Sequence, residues 1–153
     1  VDLIIAETQF DIAEARAIVI AVRKEGDLPV AVSMTYEDGV TLTGSSVSVC
    51  AATLWNMGVD LIGMNCSAGP VEMRDAAHEL LSVCQGPVLI QPNAGLPSLT
   101  EDGKTVFPLA PDEFASLTGD FAGMGAQVVG GCCGTTPEHI SALKNNIMRL
   151  PAP

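Results

Sequence analysis

The sequence has little basic charge and no long apolar run. Seven Lys and Arg residues stand against eighteen Asp and Glu residues, giving a formal net charge of −11. Nucleic acids and anionic membrane surfaces attract basic proteins, so we expect neither as a partner. Polar residues or glycines interrupt every apolar stretch before it reaches membrane-spanning length, and residues 1–25 show no signal-peptide pattern.

Cysteine is scarce and does not follow a disulfide framework. There are five cysteines, an odd number, and their spacing is unlike that of small secreted domains. A reduced, cytoplasmic setting is the simpler interpretation, with thiols left free to bind metal.

The length of 153 residues suits one domain, and 48% hydrophobic residues are enough for a sizeable core. We expect this domain to cover residues 1–150, with residues 151–153, which contain two prolines, as the start of a linker. The first residue, Val1, already lies in an apolar strand pattern, which predicts that the chain is a piece of a longer protein.

Short apolar runs alternate with helical patterns five times along the chain. The predicted strands cover residues 1–6, 29–34, 59–64, 87–90 and 126–130, and the predicted helices begin near residues 12, 46, 71, 111 and 137. Continuous apolar strands alternating with helices predict an α/β fold with a parallel sheet. Two architectures fit this pattern, an open doubly wound sheet or part of a (β/α)8 barrel. A long loop without secondary structure is predicted at residues 94–110, and a loop of that length is expected to be functional.

Three cysteines follow predicted strands directly. Cys132 and Cys133 end the fifth strand in a glycine-rich turn, and Cys66 follows the third strand. Adjacent cysteines rarely form a disulfide with each other, but they can bind one soft metal ion together. Three thiols at one edge of a sheet therefore predict a Zn²⁺ site with one open position. The alternative is that all three are small buried hydrophobic residues.

Several motifs together resemble the homocysteine S-methyltransferase family, and the resemblance runs from Val1 to about Met148. They are the Gly-Gly-Cys-Cys-Gly-Thr-Thr-Pro-Glu-His-Ile run at residues 130–140, Asn65-Cys66, the Pro-Asn-Ala-Gly run at residues 92–95, Glu7-Thr8, Met34-Thr35 and the segment at residues 103–109. The last segment is most similar to the cobalamin-dependent bacterial branch, in which the motifs belong to a homocysteine-binding domain.

The resemblance implies a (β/α)8 TIM-type barrel of which this chain supplies the C-terminal five units. The first three units are absent, including a first strand with an Asp-Gly pair that the family uses against its substrate. Without them, we expect the isolated segment to have weak methyltransferase activity or none.

The resemblance also implies a reaction, which is zinc-dependent methyl transfer to the thiol of homocysteine, giving methionine. Zinc would be held by Cys66, Cys132 and Cys133, which activate the substrate thiolate through the metal. The methyl donor would be methylcobalamin carried by another domain of a longer chain or by another protein. Betaine and S-methylmethionine are the alternative donors.

Four further residues are expected to bind the substrate: Glu7, Thr8, Asn65 and Asn93. Read from the residues alone, Glu7 could equally be a solvated carboxylate near a helix start, Asn93 could serve a turn, and Asn65 could orient the loop before Cys66.

Two other functions remain open at this stage. One is a non-catalytic zinc-binding or thiol-binding module, and the other is a doubly wound domain with structural cysteines. Cys50 and Cys84 lie in predicted helices and are expected to be core or surface thiols, while His139 is expected to cap or pack the last helix.

Overall fold

The computed structural model describes residues 1–149, in which strands and helices alternate. The strands are β1 (Ile4–Gln9), β2 (Val30–Met34), β3 (Leu61–Asn65), β4 (Val88–Gln91), β5 (Ser98–Leu99), β6 (Thr105–Val106) and β7 (Val128–Val129). The helices are α1 (Ile12–Glu25), α2 (Val47–Asn56), α3 (Arg74–Val83), α4 (Pro111–Gly123) and α5 (Pro137–Ile147). The linker predicted for residues 151–153 lies outside the described residues.

Five strands form one parallel sheet in the order β1-β2-β3-β4-β7. Each strand of this sheet therefore pairs with the strand of the preceding βα unit in the chain. A doubly wound sheet reverses its strand order at a switch point, whereas a (β/α)8 barrel adds its strands in one direction. The sheet is thus an arc of a TIM-type barrel, which confirms the predicted fold class and excludes the doubly wound alternative.

Local hydrogen bonds explain where the helices begin. Asp11 accepts a hydrogen bond from the backbone N–H of Ala13 at 2.8 Å, and Ser46 accepts one from Val49 at 3.4 Å. These side chains satisfy N–H groups that the first helical turn leaves free. Two other helices begin with a proline, Pro111 or Pro137, whose fixed φ suits the first turn.

The first strand differs from its prediction. It runs from Ile4 to Gln9, so Glu7 and Thr8 lie within it and not after it. A register shift between Ala6 and Gln9 marks a bulge, and Thr8 has a φ of 56°. The polar residues of the bulge look like a strand end in the sequence, although pairing with β2 resumes at Gln9.

Two smaller predictions were also wrong. The third helix begins at Arg74 and not near residue 71, because residues 71–73 form a turn before it. The connection at residues 94–110 is not wholly irregular, since β5 and β6 form an antiparallel pair within it.

The core lies between the sheet and its helices. All five residues of β2 are buried, which identifies it as a central strand. The apolar side chains of β3 and β4 pack with those of α2 and α3, including Ile62, Ile90, Leu54 and Leu80. Among residues 1–149, no helix is both long and apolar enough to cross a membrane.

The two outer strands leave hydrogen-bonding groups unpaired. Within the described chain, β1 pairs only with β2, and β7 pairs only with β4. Apolar side chains at these strands are exposed, with Ile5 52% and Val128 42% accessible. Open edges beside apolar surface favour association with other chains.

We expect the 153-residue chain on its own to self-associate through these edges. Sedimentation velocity should detect oligomers, and Ile5→Lys should reduce them because a charged side chain disfavours edge pairing. Ile20→Lys is the matched control, since Ile20 is 47% exposed but lies on α1 and not on either edge strand. A monomer at all concentrations, or an equal effect of both variants, would contradict the edge assignment.

Candidate metal centre and substrate site

Three thiols meet at the carboxyl edge of the sheet. Cys66 follows β3 directly, and Cys132 and Cys133 follow β7. The sulfur atoms of all three lie within 4.8 Å of one another, and the Sγ atoms of Cys66 and Cys133 are 3.7 Å apart. This distance is far longer than a disulfide bond, so these are free thiols.

Backbone geometry directs Cys66 toward the other two thiols. Cys66 and Ser67 both have left-handed backbones, with φ of 65° and 53°. The N–H of Cys66 donates to the carbonyl of Gln91 on the neighbouring strand at 3.2 Å. A left-handed conformation costs a non-glycine residue about 1–2 kcal/mol, and such strain is concentrated at functional sites.

The turn that carries Cys132 and Cys133 is held by the loop after β4. The N–H of Cys132 donates to the carbonyl of Pro92 at 2.8 Å, and the N–H of Ala94 donates to the carbonyl of Cys133 at 2.9 Å. Gly134 then turns the chain with a φ of 78°, and the ring of Phe107 occupies the space that a Cβ atom would need. The connection at residues 94–110 therefore supports the cysteine turn.

Asn93 contacts the turn directly. Its side chain is buried, and its Oδ1 accepts a hydrogen bond from the N–H of Cys133 at 3.0 Å. The N–H of Asn93 in turn donates to the carbonyl of Ala68, two residues after Cys66. This side chain fixes the position of one cysteine, a contact that the sequence pattern did not predict.

Glu7, Thr8 and Asn65 form one hydrogen-bonded cluster beside the thiols. Asn65 is buried, and its Nδ2 lies 3.1 Å from the Glu7 carboxylate and 3.6 Å from the sulfur of Cys132. Thr35, at the end of β2, donates to the carbonyl of Asn65 at 3.0 Å. All four residues expected at a substrate site therefore lie near the three cysteines.

Burial and mutual repulsion disfavour negative charge on the thiols. Although Cys133 is exposed, the partial loss of solvent around its sulfur is the largest cause that raises its pKa, to about 11, and the neighbouring Cys66 and Cys132 add to it. Burial also raises the pKa of Cys132, although the nearby Asn65 amide acts in the opposite direction. A cation bound beside Cys132 and Cys133 would offset both effects.

The remaining cysteines and His139 lie outside this cluster. Cys50 is buried in α2, and Cys84 ends α3. His139 accepts a hydrogen bond from the N–H of Thr136 and packs edge-to-face on Phe114. Its expected capping and packing role is confirmed.

Comparison with known proteins identifies the family. Residues 1–147 match the family of homocysteine S-methyltransferases. The chain is 39% identical over 155 residues to the methionine synthase of Mycobacterium leprae (strain TN), and 38% identical over 159 residues to that of Mycobacterium tuberculosis (strain ATCC 25618 / H37Rv). These alignments cover 97% and 99% of this chain but only 13% of each relative. The chain belongs to the homocysteine S-methyltransferase family, as its motifs predicted.

Solved structures agree with the fold. The apo form of the homocysteine methyltransferase MmuM from Escherichia coli superposes with a TM-score of 0.75 at 24% identity, over 95% of this chain and 49% of MmuM. The metallated form gives a TM-score of 0.75 at 23% identity, over 94% of this chain and 44% of MmuM. The chain thus corresponds to about half of that fold.

We expect Asn93→Ala to destabilise the cysteine turn. The variant removes the acceptor of the part-buried N–H of Cys133, and the loss of an ordinary hydrogen bond costs about 0.5–1.5 kcal/mol. Asn93→Asp retains an acceptor at the same position and should lose less stability than Asn93→Ala. Urea unfolding of both variants measures the difference. Equal stability of Asn93→Ala and the wild type would show that this hydrogen bond does not hold the turn.

Proposed function

We propose that this chain binds zinc and homocysteine in an enzyme that methylates the homocysteine thiol to give methionine. The observation that carries the proposal is the group of three thiols, Cys66, Cys132 and Cys133, within 4.8 Å at the rim of a barrel arc. Membership of the homocysteine S-methyltransferase family supplies the substrate class.

The spacing of the thiols fits zinc. Tetrahedral Zn²⁺ binds thiolate sulfur at about 2.3 Å, which requires sulfur atoms about 3.8 Å apart. The Sγ atoms of Cys66 and Cys133 are 3.7 Å apart. A cation would also offset the loss of solvent and the repulsion that together raise the pKa of Cys133. That MmuM has been crystallised in a metallated form is consistent with this assignment.

Three protein ligands leave one position for the substrate. A free thiol has a pKa of about 8.5 and is only a few per cent thiolate at neutral pH. Bound zinc would supply a Lewis acid at which a substrate thiol loses its proton near neutral pH. The three cysteines would hold the metal at the rim of the barrel arc, where Cys133 is exposed.

Glu7 is suited to bind the ammonium group of homocysteine. Glu7 is exposed, and both hydrogen bonds that its carboxylate accepts, from Thr8 and Asn65, end on the same oxygen, Oε2. Within residues 1–149 the other oxygen, Oε1, accepts no hydrogen bond and can receive an N–H of the substrate. A carboxylate and an ammonium form a charge-assisted hydrogen bond.

The methyl donor is proposed to be methylcobalamin carried by another domain or protein. The relatives are methionine synthases, and this chain spans only 13% of their length, which leaves room for a donor-carrying domain. Betaine and S-methylmethionine are alternative donors, which a donor-dependence assay would distinguish.

One observation favours a second candidate, a non-catalytic zinc-binding or thiol-binding module. The described chain forms five parallel strands with two open edges, and a complete barrel has eight. Methyl transfer with added donor distinguishes the two functions, because the module would bind zinc and homocysteine without turnover.

The zinc assignment predicts one metal ion per chain. Cys132→Ser should lower the zinc content several-fold, because serine is a poor ligand for zinc compared with thiolate. Cys84→Ser is the matched control, since Cys84 ends α3, outside the thiol group, and should leave the zinc content unchanged. Elemental analysis after dialysis measures both. Zinc retained in Cys132→Ser, or lost equally in the control, would refute the assignment.

The role of Glu7 predicts a selective loss of substrate affinity. Glu7→Gln should weaken homocysteine binding by about 1–3 kcal/mol, the usual size for a lost charged hydrogen bond, without changing the zinc content. Glu14→Gln is the control, because Glu14 lies in the first turn of α1 and makes no contact with the thiols. Calorimetric titration with homocysteine measures the difference. Equal affinities of the wild type and Glu7→Gln would show that Glu7 does not bind the ammonium group and is a solvated carboxylate.

A further inference from the structure

The buried side-chain amide of Asn65 lies between the carboxylate of Glu7 and the thiol of Cys132. The Nδ2 of Asn65 lies 2.7 Å from the hydroxyl of Thr8, 3.1 Å from Oε2 of Glu7 and 3.6 Å from Sγ of Cys132. Asn65 is only 1% exposed. Because so little of Asn65 is exposed, its main contacts are with these three neighbours, through which it can act on a substrate.

The orientation of this amide is fixed by its other end. Oδ1 of Asn65 accepts a hydrogen bond from the backbone N–H of Thr8 at 2.9 Å. An N–H group can only donate, so exchanging the oxygen and nitrogen of the amide would place two donors against each other. The NH₂ group must therefore face the carboxylate, the hydroxyl and the sulfur.

The same contacts hold the bulge of β1 in place. Thr8 is β-branched and has a φ of 56°, which is a strained conformation for such a residue. Its N–H and its hydroxyl both bond to Asn65, and the hydroxyl also donates to Oε2 of Glu7 at 2.8 Å. Asn65 thus determines where the carboxylate of Glu7 stands relative to Cys132.

We propose that Asn65 is a positioning residue that sets the separation between the ammonium-binding carboxylate of Glu7 and the thiol centre. A single nitrogen atom contacts both Glu7 and Cys132, so the two groups lie within two hydrogen-bond lengths of each other. This separation lets one amino acid present its ammonium to Glu7 and its thiol to the metal at the same time. The inference rests on the proposed function, since it concerns the same substrate.

The proposal predicts an effect that depends on the ammonium group. In the complete, zinc-loaded protein, Asn65→Ala should weaken homocysteine binding about tenfold, because Glu7 loses its fixed position. Binding of 4-sulfanylbutanoate should change less than about twofold, because this thiol acid is homocysteine without its ammonium group and makes no charged hydrogen bond with Glu7. Calorimetric titration with each ligand measures the ratio of wild-type to variant affinity. The matched control is Asn56→Ala, on the exposed surface of α2.

Two further variants separate positioning from damage to the fold. Thr8→Val keeps the side-chain shape and removes the hydroxyl between Asn65 and Glu7, so it should cause a smaller loss with the same selectivity. Adding Asn65→Ala to Glu7→Gln should cause little further loss of homocysteine affinity, because both changes weaken the same interaction with the ammonium group.

The outcomes distinguish this inference from the proposed function. Wild-type protein that fails to bind homocysteine would overturn both. Wild-type binding, with Asn65→Ala weakening the two thiols by the same factor or leaving homocysteine affinity unchanged, would overturn the positioning role alone. Fully additive losses in the double variant would also overturn it.

Discussion

The site depends on the parallel pairing of neighbouring strands. Cys66 and Cys133 are 67 positions apart in the chain, yet their sulfur atoms are 3.7 Å apart. Pairing of β3 with β4 and of β4 with β7 brings the carboxyl ends of these strands to one edge. The fold thereby concentrates thiols at the rim where (β/α)8 enzymes build their sites.

Local backbone contacts then set the positions of the three cysteines at this edge of the sheet. The left-handed backbone at Cys66 and the positive φ of Gly134 set the directions of the two cysteine segments. The carbonyl of Pro92 and the side chain of Asn93 bind the backbone of the cysteine turn. The loop after β4 therefore connects the two halves of the thiol group, and its loss would separate them.

Much of this arrangement could be predicted from the sequence, because buried strands and helix caps have strong local patterns. The strand ends before Cys66 and Cys132, and the caps at Asp11 and Ser46, follow from such patterns. The bulge at Thr8 could not be predicted, since its strain is stabilised by Asn65, 57 positions away. For the same reason the contacts of the buried Asn65 amide with Glu7 and Cys132 could not be predicted, and substrate binding by Asn65 stays a prediction.

The proposed function requires that the three thiols bind zinc and leave one position for a substrate thiol. Zinc-edge X-ray absorption of the zinc-loaded protein, with and without homocysteine, tests it most directly. We expect three sulfur neighbours from cysteine at about 2.3 Å and a fourth after homocysteine is added. A sulfur count that does not change on addition of homocysteine, or a site already filled by four protein ligands, would contradict it.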